Sequence, residues 1–120
     1  VSEAQRESVN DYVKIGLLED KAVLAAGGEY AREGELEKGW FYQPTIFTEV
    51  KPGMRIEQEE IFGPVLSVIK CEDLTDAINI LNGTPYGLSS SIFTKNINDA
   101  FVAIRAVSYT HLTLPTSDLV

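Results

Sequence analysis

Apolar residues recur at regular spacing along the chain and predict alternating helices and strands. At the N-terminal end, the apolar stripe of one helix is formed by Val9, Tyr12, Val13 and Leu17. Ser2 and Gln5 have the spacing of a capping box, in which the serine caps a backbone N–H and the glutamine reaches back. Gly16 lies on the same face and would permit close packing. The segment therefore predicts an amphipathic helix that begins after Ser2.

Short apolar runs further along the chain predict strands. They are Ala22–Ala26, Trp40–Phe47, Val65–Lys70 and Ser89–Thr94. The run at Val65–Lys70 is nearly continuous, which is typical of a strand covered on both faces. The aromatic residues from Trp40 to Tyr42 are interpreted as core and rim of their strand. Pro44 lacks an N–H and places that strand at an edge or a bulge.

Further helices are predicted between these strands. Met54–Glu60 is expected to form one helical turn. Asp73 is expected to cap a helix that ends at Asn82-Gly83. Asn96 is expected to cap a last helix, with inward-facing residues at Ala100, Phe101 and Ile104. The alternation predicts an α/β fold of four or five strands, with a largely parallel sheet and flanking helices.

Charge and cysteine content narrow the class of protein. The 120 residues carry a formal net charge of -8 without a Lys/Arg cluster, which argues against nucleic acid or an anionic membrane as a partner. The single cysteine, Cys71, excludes a disulfide within the chain and fits a reducing compartment, so we expect a cytoplasmic protein. A lone histidine, His111, does not indicate a metal site, and we expect no metal.

One segment stands out chemically: Gln58-Glu59-Glu60-Ile61-Phe62-Gly63-Pro64-Val65. Gly63-Pro64 predicts a fixed turn, which would hold the preceding residues at the end of a strand, where α/β proteins place ligand-facing groups. A carboxylate is an acceptor with two oxygens and suits the two hydroxyls of a vicinal diol. The alternative is a solvated turn, with both glutamates outside and Ile61 and Phe62 in the core.

Glu59-Glu60-Ile61-Phe62-Gly63-Pro64-Val65 resembles the signature of the aldehyde dehydrogenase superfamily. The resemblance runs from about Ser2 to about Ala106. It includes, in order, Gly39-Trp40-Phe41, Pro44-Thr45, Met54-Arg55-Ile56, Asn82, Tyr86-Gly87-Leu88 and Ser91-Ile92-Phe93-Thr94. This resemblance implies that residues 1–106 are part of the catalytic domain of such an enzyme.

The resemblance also implies roles for individual residues. Glu60 would bind the ribose hydroxyls on the nicotinamide side of NAD or NADP, and Phe62 would pack near the nicotinamide and its ribose. Gln5 occupies a place where some members also touch that ribose, although the capping box explains Gln5 equally well. Glu59 is expected to be structural, bonding to backbone or to a neighbouring arginine.

The activity implied by the resemblance is oxidation of an aldehyde to a carboxylic acid with NAD(P), through a cysteine thiohemiacetal and thioester. The nucleophilic cysteine, the glutamate base and the dinucleotide-binding unit of the family lie upstream of the position matching Val1. We therefore assign no catalytic residue and expect this fragment to be inactive by itself. Cys71 does not fill the role, because Glu72 and Asp73 follow it and disfavour a thiolate; we interpret it as a buried small apolar residue. The parent is expected to be a homo-oligomer.

Two other functions remain to be weighed. The first alternative is a small non-catalytic α/β nucleotide-binding module, since the chain has enough apolar residues for a core of its own. A hydrolase using Glu59 and Glu60 as paired carboxylates is disfavoured, because adjacent residues point in different directions.

The family pattern stops after Ala106. The sequence that follows, Val107-Ser108-Tyr109-Thr110-His111-Leu112-Thr113-Leu114-Pro115-Thr116, resembles the in-frame translation of a transposon-type sequencing-library adapter. We therefore expect residues 107–120 to be a non-native tail and leave them out of the fold prediction.

Overall fold

A computed structural model describes residues 2–107 and the backbone of residues 112–113. The chain divides into two compact units, Val1–Lys70 and Cys71–Val120. Residues 108–111 and 114–120, including His111, lie outside the described residues. The non-native origin of the tail thus stays a prediction.

The first unit is a three-stranded sheet with one long helix and two short helices. Its elements are helix α1 (Glu3–Leu18), strand β1 (Val23–Ala26), a 3-10 helix (Gly34–Lys38), strand β2 (Thr45–Thr48), helix α2 (Arg55–Gln58) and strand β3 (Val65–Ser67). Strand β2 is central, antiparallel to β1 and parallel to β3. Thr45 is opposite Val65 in the parallel pair.

The second unit contains two helices and a short parallel strand pair. Its described elements are helix α3 (Leu74–Asn82), strand β4 (Ser90–Ser91), helix α4 (Ile97–Ala106) and strand β5 (Leu112–Thr113). Strands β4 and β5 are parallel. Two of the three strand pairings in the described residues are thus parallel, and the expected α/β class with flanking helices is confirmed.

The helix starts agree with the sequence because side-chain caps are local interactions. Ser2 Oγ accepts from Gln5 N at 3.2 Å, Asp73 Oδ1 accepts from Asp76 N at 2.8 Å, and Asn96 Oδ1 accepts from Asn98 N at 2.9 Å. Each cap satisfies a backbone N–H that has no partner inside its helix.

The core of the first unit lies between α1 and the central strand. Its buried members are Val13, Ala22, Phe47, Val50 and Ile56. Phe47 on β2 is fully buried. A Cβ added to Gly16 would lie 2.9 Å from the Phe47 ring, so the expected close packing at this glycine is confirmed. The glycine lets α1 approach the sheet closely.

Three strand predictions were too long. The run from Trp40 becomes a strand only at Thr45, because Tyr42 instead forms an isolated bridge with Tyr30. Strand β3 ends at Ser67, and Leu66 and Val68 are 58% and 45% exposed. Full cover on both faces is therefore wrong for the described residues. Only Ser90–Ser91 of the fourth run is a strand.

Two predictions about burial are also wrong. On α4 the buried residue is Ala103, whereas Phe101 and Ile104 are 52% and 42% exposed. Ala103 shares a groove with Leu74 and Ile78 of α3, which sets the inward face of α4. Cys71 is exposed rather than buried, because it follows the end of β3 and precedes the first turn of α3.

Candidate functional site

The signature segment, Glu59–Val65, connects α2 to β3, and the part of it before the strand is called the signature loop. Ile61 packs against the core, but the Phe62 side chain is 73% exposed. The backbone of Phe62 has φ 57°, in the left-handed region, which costs a residue with a Cβ about 1–2 kcal/mol. Glu60 is exposed as well. The alternative in which Phe62 belongs to the core is therefore wrong, and both candidate cofactor-binding side chains stand outside it.

Helix α1 holds this segment through three residues on one face. Gln5 Nε2 donates to the Phe62 carbonyl oxygen at 2.9 Å. Val9 packs so closely on Gly63 that an added Cβ would be 2.4 Å from Val9 Cγ2. Tyr12 Oη donates to Glu59 Oε1 at 3.2 Å. The Gln5 side chain is thus directed to Phe62, and its predicted return to the Ser2 backbone in a capping box is wrong.

The segment is also fixed at its beginning, through Asp20. The two oxygens of this carboxylate accept from Arg55 N at 3.1 Å and from Ile56 N at 3.0 Å. These are free N–H groups of the first turn of α2, which Asp20 satisfies from a position just after α1. Helix α2 and the loop after it are therefore both bound to the α1 region.

Glu59 is held by an arginine, as its expected structural role requires. Arg55 Nε and Nη2 donate to the two Glu59 oxygens at 2.6 and 3.1 Å, and Arg55 Nη1 donates to Glu19 at 3.1 Å. The hydrogen bonds from Arg55 lower the pKa of Glu59. The hydrogen bonds to Glu59 and Glu19 raise the pKa of Arg55. A carboxyl group that is kept ionised cannot act as a general acid near neutral pH. Glu59 is therefore excluded as the acid of a hydrolase with paired glutamates.

A cavity of about 190 Å³ lies beside the exposed Phe62 ring. It is lined by Gln5, Arg6, Val9, Trp40, Phe41, Tyr42, Phe62, Gly63 and Pro64. Glu60 is not among these residues, although it precedes Phe62 by only two positions. The structure thus brings Gln5 and Phe62 to one cavity and leaves Glu60 exposed outside its lining. The proposed roles of Glu60 and Phe62 stay predictions.

The wall of this cavity contains a buried cation that the sequence interpretation missed. Arg6 is 7% exposed, and its guanidinium carbon lies 4.2 Å from the Tyr30 ring centroid and 4.9 Å from the Trp40 ring. Trp40 thus makes a cation–π contact within the protein and lies outside strand β2, so its assignment to a strand is wrong. The sequence did contain a signal for this burial. Arg6 precedes Val9 by three residues and Val13 by seven, which places it on the apolar stripe of α1.

Two tyrosines next to this wall have raised pKa values. Tyr42 is half-buried, and its burial, with smaller contributions from Tyr30 and Glu29, raises its pKa to about 12. Its hydroxyl donates to Asn10 Oδ1 at 3.1 Å. The hydrogen bond from Tyr30 to Glu7 raises the Tyr30 pKa. Both phenols are therefore neutral donors at physiological pH.

The other candidate groups among the described residues do not cluster. No three His, Cys, Asp or Glu side chains in the described part of the chain are placed to hold a metal ion. Over the same residues, no helix has the length and apolar character needed to cross a membrane. Cys71 is exposed and is followed in the chain by two carboxylates, Glu72 and Asp73.

Comparison with known proteins places this geometry in a family. Residues 1–117 match the model of the Aldehyde dehydrogenase family. The chain is 44% identical over 106 residues to a probable aldehyde dehydrogenase of Streptomyces coelicolor. The matched region is 88% of this chain and 21% of that protein. The chain thus spans about a fifth of the length of such curated relatives.

Solved structures agree with the sequence match. Betaine aldehyde dehydrogenase from Staphylococcus aureus in complex with NAD+ is 32% identical with a TM-score of 0.90, covering 94% of this chain and 22% of that one. Mycobacterium tuberculosis aldehyde dehydrogenase complexed with NAD+ is 39% identical with a TM-score of 0.88, covering 94% and 23%. The chain belongs to the aldehyde dehydrogenase family.

Proposed function

We propose that this chain is part of the catalytic domain of an enzyme that oxidises an aldehyde to a carboxylic acid with NAD or NADP. The observation that carries the proposal is the signature loop, whose Phe62 ring and Glu60 carboxylate are exposed while its backbone is bonded to α1. The loop therefore offers an aromatic ring and a carboxylate to a ligand from a backbone whose position is fixed. Two of the solved relatives are described as complexes with NAD+.

The residues present fit one end of such a cofactor. Glu60 is an exposed acceptor that would take hydrogen bonds from both hydroxyls of the nicotinamide ribose. Phe62 would pack its ring against the ribose and the flat nicotinamide. When bound, the cofactor would supply the hydride acceptor for aldehyde oxidation. What this chain contributes is the position of Glu60 and Phe62.

We infer that the isolated chain does not catalyse this oxidation. Its only cysteine, Cys71, is exposed and belongs to the second unit, whereas the signature loop belongs to the first. In assays of the purified chain with aldehyde and NAD+, we expect no absorbance increase from NADH. Turnover that disappears in Cys71→Ala would overturn this inference.

Cofactor contact is tested by equilibrium dialysis of the chain against NAD+. We expect weak binding that Glu60→Gln reduces about tenfold, because the neutral amide has one acceptor oxygen where the carboxylate has two. Glu57→Gln in α2 is the matched control and should leave NAD+ binding unchanged. Equal binding by wild type and Glu60→Gln would contradict the assignment of Glu60.

A non-catalytic nucleotide-binding module is the second candidate. The buried cluster around Phe47 favours it, because the first unit has a core of its own. Tight NAD+ binding by the isolated chain, lost in Glu60→Ala, would support this candidate over a piece of an enzyme. We rank it second because Glu60 and Phe62 would contact only one end of a dinucleotide.

For the whole protein we propose a homo-oligomer located in the cytoplasm. The single cysteine of this chain supports this location, and the net charge of -8 supports the absence of nucleic acid and anionic membrane as partners. An aldehyde is the proposed substrate, with neither nucleic acid nor membrane as a partner.

A further inference from the structure

The three α1 residues that meet the signature loop are spaced as one helical stripe. Gln5, Val9 and Tyr12 are separated by four and three residues and therefore face the same side of α1. Their partners, Phe62, Gly63 and Glu59, belong to one loop. A single helix face thus fixes the loop that presents Glu60.

The contact from Gln5 differs from the other two because it meets a strained residue. Phe62 is a non-glycine residue with φ 57°, a backbone conformation that its Cβ disfavours. Its ring is 73% exposed, so core packing does not maintain this conformation. The hydrogen bond from Gln5 Nε2 to the Phe62 carbonyl oxygen acts directly on the strained backbone.

We propose that Gln5 is a positioning residue: its amide donor holds the Phe62 backbone in the left-handed conformation and thereby aims the Phe62 ring and Glu60. This proposal rests on the proposed cofactor site for its consequence, but not for the contact itself. It differs from a direct bond between Gln5 and the ribose, which would use Oε1 or the second N–H of the amide, because here one N–H of Nε2 is bonded to the Phe62 backbone.

Three substitutions separate these two roles. Gln5→Lys retains a long side chain with an N–H donor, and Gln5→Met retains the length without a donor. Gln5→Glu retains the shape but would place an acceptor oxygen against the Phe62 carbonyl oxygen. A positioning role predicts that lysine preserves the loop, methionine loosens it and glutamate loosens it most. A direct ribose contact predicts that glutamate, a good acceptor for hydroxyls, retains cofactor binding.

Loop order is measured first, without cofactor, by hydrogen–deuterium exchange of peptides covering residues 59–65. Gln5→Met and Gln5→Glu should exchange several-fold faster there, whereas Gln5→Lys should match wild type. The control is Lys14→Gln, an exposed position on the same helix that changes the net charge by the same amount as Gln5→Glu. Unchanged exchange in both Gln5→Met and Gln5→Glu would overturn the proposal.

NAD+ affinity by equilibrium dialysis is the second readout. We expect about tenfold weaker binding in Gln5→Met, a larger loss in Gln5→Glu and recovery in Gln5→Lys. Gln5→Glu that binds NAD+ as tightly as wild type would refute the positioning role. If wild type itself bound no NAD+, the cofactor site would fail while the exchange data still decided the contact between Gln5 and Phe62. Trp40 fluorescence identifies any variant that does not fold.

Discussion

The close packing of Val9 on Gly63 gives a prediction whose size follows from the structure. A Cβ at position 63 would lie 2.4 Å from Val9 Cγ2, whereas ordinary contacts begin at 3.4 Å. Val9 is buried and β-branched on a helix, so its side chain has little freedom to rotate away. We therefore expect Gly63→Ala to separate α1 from the signature loop.

The expected cost of Gly63→Ala is about 1–2 kcal/mol. Overpacking of this kind costs roughly 1–3 kcal/mol, and the reduced freedom of the unfolded chain returns about 0.4–1 kcal/mol. Val9→Ala removes two buried carbon groups and should cost roughly 2 kcal/mol. In the double variant the new methyl occupies space that Val9 vacates. The loss of unfolding free energy in the double variant should then be about 1–2 kcal/mol smaller than the sum of the losses in the two single variants.

Urea unfolding at low protein concentration measures these free energies. Trp40 is the only tryptophan of the chain and lies in the first unit, so its fluorescence reports on that unit. The control pair is Gly34→Ala with Val9→Ala, because a Cβ at Gly34 meets nothing within 4 Å. That pair should be additive. Additive costs for Gly63→Ala and Val9→Ala would refute the close contact between α1 and the loop.

Three further outcomes are expected. Because Arg55 lowers the pKa of Glu59, their ion pair stabilises the fold above the ordinary glutamate pKa, and this stabilisation is lost as pH falls through the lower pKa of Glu59 in the folded state. In urea titrations, Glu59→Gln and Arg55→Met should therefore each lose less stability than wild type between neutral and acid pH. Burial raises the Tyr42 pKa to about 12, so neutral Tyr42 stabilises the fold below pH about 10. This contribution is lost as pH rises to about 12, and Tyr42→Phe should flatten that alkaline loss of stability. The chain should associate through exposed side chains such as Leu88 and Phe93, 78% and 75% exposed, so light scattering that shows only monomer with a cooperative melt would contradict this.

Sequence reasoning succeeded where the interaction is local. The caps at Ser2, Asp73 and Asn96 were predictable, because each involves a backbone N–H two or three residues away. The pairing of Glu59 with Arg55 is likewise an i, i+4 contact on one turn. Such contacts are determined by spacing alone.

Prediction from the sequence failed where the structure depends on a partner that is distant in the chain. Trp40 was assigned to a strand from its type, but its ring stacks on Arg6, which is 34 positions earlier. The exposed positions of Phe101 and Cys71 depend on which surfaces neighbouring elements cover, and composition does not contain that information. Gln5 was predicted to close a local capping box, whereas its partner Phe62 lies 57 residues away.

The attachment of the signature loop to α1 has a kinetic consequence. The contacts that attach α2 and the loop to the α1 region join residues separated by 35 to 57 positions, from Asp20–Arg55 to Gln5–Phe62. During synthesis the helix is complete long before its partners exist, so the loop is expected to acquire its shape late, after the intervening strands have paired. The loop is also largely exposed, and segments with few buried contacts open before the core does when stability falls. Mild heating should therefore release the signature loop before the three-stranded sheet melts.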